Sequence, residues 1–313
     1  MKEAPSTSFP NVRKTQEEIT MTKSLLFAIG LLFVTTFQVA AQAPAPPNVL
    51  LIVREEIKPG MIAAHAREAN NVVRIYSKAK SPYNRLAMVP VAGNENEVTY
   101  LWPFASFAEL EKSNKDLDSI SNVTYKSDFD KIRPEGDDDY HTSQRDSIAV
   151  FRNDLSYNAG ADMPRMRYMR VQTVRVKPGH ARDFEEARRM VKAAHEKAKI
   201  DENMAVYQVV GGAQSGTYLI FIPWDSLSRA ETLPHGKAYQ DAIGDDRRDK
   251  MEKIESDSVV FSATEIYAFA PQLSFSPGFA AADPAFWTLK PMASESPAPT
   301  AVKSRQKTMG KKP

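Results

Sequence analysis

The sequence predicts an α+β fold built from two copies of one strand–helix–strand–strand–helix–strand unit. The first observation is a strand that ends in Lys-Pro-Gly and opens an amphipathic helix, which occurs at residues 56–60 and again at residues 175–179. The second is that the two copies align without a gap from this turn through the helix and into the next strand. Thr-Tyr-Leu at 99–101 then matches Thr-Tyr-Leu at 217–219. The shared order of these matches predicts a duplicated unit.

Composition limits the protein class. With 313 residues, 42% of them hydrophobic and 26% charged, the chain is long enough for one or two soluble domains. The 41 Lys and Arg residues nearly balance the 39 Asp and Glu residues, so no strong field indicates nucleic acid as a partner. The absence of cysteine excludes disulfides, thiolate metal sites and thiol catalysis. We also find no phosphate-binding glycine loop, no G-x-S-x-G elbow and no H-E-x-x-H motif.

The N-terminal segment resembles a secretory signal. Met21 and Lys23 precede an apolar run at residues 24–34, and small residues at 39–41 supply a cleavage site before Gln42. The run is shorter than the roughly 20 residues of a membrane-spanning helix, which favours cleavage over an uncleaved anchor. We therefore expect a secreted or periplasmic protein, with the signal starting at Met21 and no membrane span after cleavage.

Composition and pattern divide the chain into segments. Proline marks the spacer, glycine and proline mark the linker, and the end of the chain is rich in Pro, Ala, Ser and basic residues. The expected segments are an N-terminal extension with signal peptide (1–41), a Pro-rich spacer (42–47), a first unit (48–157), a linker (158–165), a second unit (166–270) and a disordered basic tail (271–313).

A unit of this order is the ferredoxin-like split motif, whose uncovered sheet face has to pair with a second unit. Both units are here on one chain. The strand–Lys177-Pro178-Gly179–helix turn and the later Pro223-Trp224-Asp225-Ser226 run, followed by Pro234-His235, resemble the dimeric α+β barrel superfamily. That superfamily includes antibiotic-biosynthesis-monooxygenase-like, NIPSNAP-like and haem-degrading proteins.

The resemblance implies tandem ferredoxin-like βαββαβ repeats that form an intrachain dimeric α+β barrel. It also implies a pocket between the sheet and the helices of each unit, which would hold haem, a polyketide-like aromatic or another small apolar molecule. Many members of the superfamily act without a cofactor. We accordingly predict no cofactor, with haem left open.

The first helix of each unit supplies the sharpest site prediction. In the second copy an apolar stripe follows one helix face: Phe184, Ala187, Val191, Ala194 and Ala198. The alignment transfers that face to His65, Glu68, Val72, Ile75 and Ala79. His65 and Glu68 would then line a polar pocket as a metal or haem-iron ligand pair, or as an acid–base couple. A competing stripe at 62, 66, 69, 73 and 76 would instead turn Glu68 towards solvent.

The other histidines are weaker candidates. His235 matches the position that often faces the pocket in the superfamily, so we predict it as catalytic together with His65 and Glu68; a loop histidine at a helix start is the alternative. His195 is expected on a helix surface, and His180 at an exposed first turn. His141 follows three aspartates, and a solvated loop is expected there rather than a cation site. No dedicated metal site is predicted.

Aromatic and amide side chains complete the predicted ligand-binding set. Trp102 and Trp224 lie at the ends of the third strands of their units, and Tyr207 lies on a neighbouring strand. Each could line an aromatic pocket or belong to the core. Asn71 is an unfavourable residue within a helix, which makes it a candidate ligand contact, with plain exposure as the alternative.

These observations predict a secreted or periplasmic protein that binds a small apolar or aromatic ligand. Its oxidation by a monooxygenase-like activity is an extension of that prediction. The alternative is a non-catalytic secreted structural or interaction module. The two units are expected to pair within the chain, while the choice between a monomer and a higher oligomer stays open.

Overall fold

A computed structural model describes residues 45–132, 140–233 and 235–289. The predicted signal peptide and the last part of the predicted tail lie outside these residues. The fold is α+β, as predicted, and its eight strands form one closed antiparallel barrel. Within the described ranges, no helix combines the length and the apolar character that crossing a membrane requires.

The strands close in the order β1-β3-β2-β8-β5-β7-β6-β4. Their bounds are β1 Val49–Ile57, β2 Leu86–Ala92, β3 Glu97–Phe104, β4 His141–Phe151, β5 Tyr168–Val176, β6 Ala205–Gly211, β7 Thr217–Trp224 and β8 Val259–Phe269. The helices are α1 Ile62–Lys78, α2 Phe107–Ser119, α3 Lys126–Ile132, α4 Ala181–Ala198, α5 Gly236–Ile243, α6 Asp245–Ser258, α7 Pro277–Ala282 and α8 Pro284–Trp287.

Each half of the chain contributes four neighbouring strands. The first half runs β4-β1-β3-β2 around the barrel and the second half runs β8-β5-β7-β6, so the fourth, first, third and second strands follow one another in both. The halves join through the β2–β8 and β4–β6 pairs. Closure leaves no strand edge of the barrel unpaired, which removes the usual site of edge-to-edge aggregation.

Alternating side chains divide the core into inner and outer layers, because successive residues of a strand point to opposite faces. On β7, Leu219 and Phe221 belong to the cluster inside the barrel. Tyr218 and Ile220, which alternate with them, pack outside the barrel with Phe184 of α4. The helices therefore cover the outer face, and the space between helix and sheet is a separate layer in each half.

Two short 3-10 turns cross between the halves. The turn Asn153–Leu155 follows β4 of the first half and packs on α4 of the second half, where Lys192 donates to the Asn153 carbonyl at 3.2 Å. The turn Pro271–Leu273 follows β8 and packs on α1, where Asn70 donates to the Gln272 carbonyl at 2.9 Å. The turn that follows the last strand of each half thus hydrogen-bonds to the first helix of the other half, α4 or α1.

The folded region extends beyond the predicted start of the disordered tail at residue 271. Residues 271–289 include the second 3-10 turn and helices α7 and α8. Trp287 is 5% exposed, contacts Phe269 inside the barrel and donates its indole N–H to the Pro164 carbonyl at 2.8 Å. The high Pro, Ala and Ser content of this region is typical of disorder, but four aromatic residues pack it onto the fold: Phe275, Phe279, Phe286 and Trp287.

Candidate metal centre

Two clusters of histidine and glutamate lie on the helix-facing side of the barrel, one in each half. We call them the first cluster (Glu55, His65 and His141) and the second cluster (His195, Glu202 and His235). In each, three possible ligand atoms lie within 4.8 Å of one another. Two imidazoles and one carboxylate are a donor set that binds divalent transition metals in many proteins.

In the first cluster, the carboxylate lies between a helix histidine and a strand histidine. Glu55 faces outward from β1, His65 lies in the first turn of α1, and His141 begins β4 opposite Ile57. His65 Nε2 is 2.7 Å from Glu55 Oε2, and His141 Nε2 is 3.4 Å from the same oxygen. Burial acts to raise the pKa of Glu55, but the hydrogen bond from His65 and the nearby positive charges outweigh it, so that the pKa is lowered.

The second cluster is assembled at the other end of the corresponding helix. His195 lies in the last turns of α4, and Lys199 ends that helix in the left-handed conformation at φ +51°. The chain then turns back and brings Glu202 to the helix, while His235 lies immediately before α5. His195 Nε2 and His235 Nε2 are 3.3 and 3.5 Å from Glu202 Oε2.

The carboxylate of the second cluster is ionised. Burial acts to raise the pKa of Glu202, but hydrogen bonds and positive charge from His195 and His235 outweigh it and lower the pKa to about 2. The Tyr239 ring lies 5.0 Å from the His195 ring and 5.2 Å from the His235 ring, so it packs against both imidazoles and restricts their rotation.

The protonation of His195 distinguishes the second cluster. Its Nδ1 lies 2.8 Å from the carbonyl oxygen of Val191, which can only accept, so Nδ1 carries a proton. Nε2 then faces the Glu202 carboxylate at 3.3 Å, either as a protonated donor, the state that lowers the Glu202 pKa, or as an unprotonated acceptor. Two acceptors in this arrangement require a cation between them, either a second proton on the imidazole or a metal ion. A carbonyl on the far nitrogen is also the usual outer contact of a metal-binding histidine.

The first cluster has no such requirement. Its 2.7 Å separation is a direct hydrogen bond in which His65 Nε2–H donates to Glu55, and a neutral imidazole suffices. His65 Nδ1 is buried and has no hydrogen-bond partner among the described residues. The nitrogen that would orient a metal-bound imidazole is therefore unsupported in this cluster.

The distances between the possible ligand atoms also favour the second cluster as the metal site. Tetrahedral nitrogen and oxygen ligands about 2.0–2.1 Å from a zinc ion lie about 3.3–3.4 Å from one another. Both separations around Glu202, 3.3 and 3.5 Å, match this spacing. In the first cluster only the 3.4 Å separation between His141 and Glu55 matches it, and the 2.7 Å contact between His65 and Glu55 is too short for an intervening ion. The second cluster is therefore the candidate metal centre, and the first is a hydrogen-bonded cluster.

The predicted couple of His65 and Glu68 lies on the buried side of α1. Both side chains are buried, at 4% and 8% exposure. Ala69 and Val73 of the competing stripe are buried as well, so the buried side of α1 includes members of both stripes. The carboxylate that hydrogen-bonds His65 is Glu55, which sequence analysis did not select. Alternation along β1, which points Glu55 to the helix side, is the signal that could have identified it.

Two expectations about histidines were wrong. His195, expected on a helix surface, is 2% exposed. His141, expected in a solvated loop, starts β4 and reaches Glu55. The predicted His235 joins the second cluster, but its carboxylate partner Glu202 was not predicted, because it lies in a loop and only the turn at Lys199 returns it to the helix.

The predicted ligand-binding residues lie in different layers. Trp224 is buried between helix and sheet, and Trp102 is half-buried beside the Arg85 guanidinium. Tyr207 lies inside the barrel, where its hydroxyl donates to the Pro47 carbonyl at 2.9 Å and burial raises its pKa. Asn71 is exposed on α1.

The described part of the protein also contains two cavities that the cluster residues do not line. One, of about 290 Å³, lies at an end of the barrel interior next to Arg54, whose guanidinium contacts Glu265 at 3.2 Å. The other, of about 220 Å³, lies between the sheet and the helices of the second half. The second cavity is in the layer where the superfamily resemblance predicts a ligand pocket.

Comparisons with known proteins identify no activity. No protein-family model matches the sequence, and no curated protein matches it. Among solved structures, a proposed monooxygenase from Lactobacillus acidophilus is 11% identical, with 72% of this chain and 94% of that chain covered and a TM-score of 0.42. An anthrone oxidase-like protein is 12% identical, with 71% and 91% covered and a TM-score of 0.45. A mutant chlorite dismutase from Candidatus Nitrospira defluvii, in complex with cyanide, is 10% identical, with 72% and 92% covered and a TM-score of 0.43.

Proposed function

We propose that this protein binds a divalent transition-metal ion through His195 Nε2, the Glu202 carboxylate and His235 Nε2. The observation that carries the proposal is the position of His195 Nε2, 3.3 Å from Glu202 Oε2, which is the spacing of two ligands of one ion, while the Val191 carbonyl holds the other ring nitrogen. Three protein ligands leave a coordination position for water or a substrate. That arrangement is typical of catalytic rather than structural metal sites.

The substrate part of the proposal follows the sequence prediction of a small apolar or aromatic ligand. The 220 Å³ cavity, which Phe184 and Arg188 of α4 line, supports a ligand in this layer, while the three proposed metal ligands lie outside its lining. Oxidation of that ligand requires a redox-active ion such as iron, copper or manganese, whereas zinc would polarise or hydrolyse it. The metal that co-purifies with the protein therefore decides the class of reaction.

Thermal unfolding tests the metal site. An ion that binds only the folded state stabilises it by mass action, by about 2.7 kcal/mol at a free concentration of 100 times Kd. Zinc added to chelator-treated protein should therefore raise the unfolding midpoint of the wild type, and His235→Ala should abolish that rise. His180→Ala is the matched control, because His180 immediately precedes the same helix α4, belongs to neither cluster and has a side chain that is 42% exposed. An undiminished zinc effect in His235→Ala would contradict the proposal.

We also propose that the two halves are tandem ferredoxin-like units. The same circular strand order in both halves and the repeated Lys-Pro-Gly turn support this assignment. Two separate chains, residues 45–157 and 158–289, should then associate into a one-to-one complex when produced together. Failure of the two chains to associate would count against two self-contained units.

We propose an extracytoplasmic location on the basis of the basic start, the apolar run and the small residues before Gln42. The expected result is a mature chain that begins at Gln42, recovered from the periplasm or the medium. N-terminal sequencing of the fractionated protein measures this. A chain that retains the apolar run and stays in the cytoplasm would contradict it.

A further inference from the structure

A buried arginine in the second half has no anionic partner among the residues that the structure describes. Arg188, on the inward side of α4, is 9% exposed, and its Nη2 donates to the Met204 sulfur at 2.8 Å. A thioether is a weak acceptor, and Nε of the same guanidinium has no hydrogen-bond partner. No carboxylate among the described residues lies within ion-pair distance of it. A charge buried in this way is costly unless an opposite charge joins it.

Arg188 lines the 220 Å³ cavity between α4, α6 and the outer face of the sheet. The walls beside it are mainly apolar: Phe184 of α4, Val174 of β5 and Ile220 of β7. A polar pair, Gln172 and Ser262, forms part of the wall, with the amide 3.3 Å from the hydroxyl. The cavity thus combines one buried cation, an apolar body and a polar edge.

The charges around the cavity do not neutralise Arg188. Glu255 of α6 also lines the cavity, but its side chain is exposed and it forms no ion pair with Arg188. Glu202 is held by the two histidines of the second cluster. Arg170, on the same outer face of β5, adds positive charge. Burial lowers the pKa of Arg188, and the charge of Arg170 lowers it further. Tyr239, Glu255 and Glu202 act in the opposite direction but do not outweigh the burial.

We infer that this cavity binds a small carboxylate with an aromatic or apolar body. The carboxylate would pair with the Arg188 guanidinium, which can hold two oxygens in a planar fork. The body would lie against Phe184, Val174 and Ile220. This inference rests on the proposed ligand cavity and adds the charge of the ligand. Carboxylate binding by Arg188 does not require an ion, so it is testable on chelator-treated protein whatever the outcome for the metal.

Benzoate and benzamide are matched probes, because they share shape and ring and differ in charge. In isothermal titration of the chelator-treated full chain, we expect saturable benzoate binding and at least about tenfold weaker benzamide binding, the difference that one charge-assisted contact supplies. Equal binding of the two probes, or no saturable binding of benzoate, would overturn the inference. This comparison uses only the wild-type chain and so does not depend on whether a variant folds.

Variants assign the contact to Arg188. Arg188→Met should weaken benzoate at least about tenfold and should not lower the unfolding midpoint, because it removes an uncompensated buried charge. A merely structural arginine would give the opposite stability result. Arg182→Met, on the exposed side of α4, should bind benzoate like the wild type.

Glu255→Gln should raise the affinity for benzoate about twofold, because it removes a like charge near the ligand. Unchanged benzoate affinity in Arg188→Met would overturn the assignment.

Discussion

The two halves bury an arginine at the same helix–strand contact, but from opposite sides of it. In the first half Arg85, at the start of the second strand, approaches Ala69 of α1. In the second half, the position aligned with Ala69 is Arg188 on α4, and the position aligned with Arg85 is Met204 before β6. The arginine therefore lies on the helix instead of the strand. The same contact in the same architecture therefore presents a cation from the strand side in one half and from the helix side in the other.

The difference lies in what compensates the two charges. Arg85 donates to the Leu273 carbonyl at 3.1 Å, and its guanidinium lies 4.6 Å from the centre of the Tyr100 ring. A carbonyl and an aromatic face are favourable partners for a guanidinium. Nε lacks a hydrogen-bond partner among the described residues in both arginines, but the rest of the Arg188 guanidinium has a thioether and a cavity in place of the carbonyl and the ring. We conclude that Arg85 supports the structure and that Arg188 is available for a ligand.

The His–Glu–His clusters differ in the same way and are not copies of one another. In the alignment, Glu55 and His65 correspond to Val174 and Phe184, which pack together in the second half. His195 corresponds to Tyr76, which contacts Trp102 in the first half. Each cluster therefore occupies a position that the other half fills with apolar or aromatic packing.

The largest expected effect separates the two arginines. Arg85→Met should lower the free energy of unfolding by about 3 kcal/mol, because it removes the donor to the Leu273 carbonyl and the cation–ring contact with Tyr100. Arg188→Met should lower it by nothing measurable or raise it. Denaturant unfolding of both variants beside the wild type measures the contrast. Equal destabilisation by the two substitutions would abolish the distinction.

A somewhat smaller effect is expected at the first cluster. His65→Ala should cost about 2 kcal/mol, because Glu55 loses its hydrogen-bond donor while it stays partly buried. Addition of zinc should not alter this cost, since we assign the first cluster a structural role. His180→Ala, at an exposed position, is the control and should cost less than about 0.5 kcal/mol. A loss of zinc affinity in His65→Ala would show that the ranking of the clusters is wrong.

The smallest expected effect is a difference in acid sensitivity between the two 3-10 turns. The Asn153–Leu155 turn is fastened by Arg152, whose hydrogen bond lowers the pKa of Asp154 from its ordinary 3.8 to about 2. A lowered carboxyl pKa stabilises the fold above the ordinary value, and that contribution is lost as the pH falls from about 4 towards 2. It amounts to less than about 1 kcal/mol at this exposure.

The other turn, Pro271–Leu273, is fastened by hydrogen bonds to the Gln272 and Leu273 carbonyls, which do not titrate. In acid, the Leu155 amide should therefore exchange its hydrogen faster relative to the Leu273 amide than it does at neutral pH. Hydrogen exchange followed by nuclear magnetic resonance measures the ratio. A ratio that stays constant between pH 5 and about 3 would exclude the contribution of Asp154.

Local sequence pattern predicted the architecture well and the clusters poorly. The Lys-Pro-Gly turns and the repeated order of strands and helices are local signals, and they predicted the α+β class, while the choice between the two stripes of α1 stayed open. Glu55 and Glu202 were missed because an isolated carboxylate in a strand or loop resembles a solvated surface charge. Their burial depends on contacts between distant segments, such as β4 bringing His141 to β1.

The tail illustrates the same limit. Composition predicts disorder from residue 271, yet a few aromatic residues suffice to dock a Pro- and Ala-rich segment. Trp287 fills space inside a barrel that only the complete set of strands creates, so its role cannot be inferred from neighbouring residues. Contacts that depend on closure of the barrel, such as the docking of Trp287, could therefore not be predicted from local sequence pattern.

The most direct test of the central claim is zinc titration of the chelator-treated chain by calorimetry, in the wild type, Glu202→Gln and Glu55→Gln. Glutamine keeps the shape of each side chain and removes the charge that a metal ligand requires. We predict one high-affinity zinc ion per chain in the wild type and in Glu55→Gln, and none in Glu202→Gln. High-affinity zinc binding that survives in Glu202→Gln would contradict the assignment of the metal centre to the second cluster.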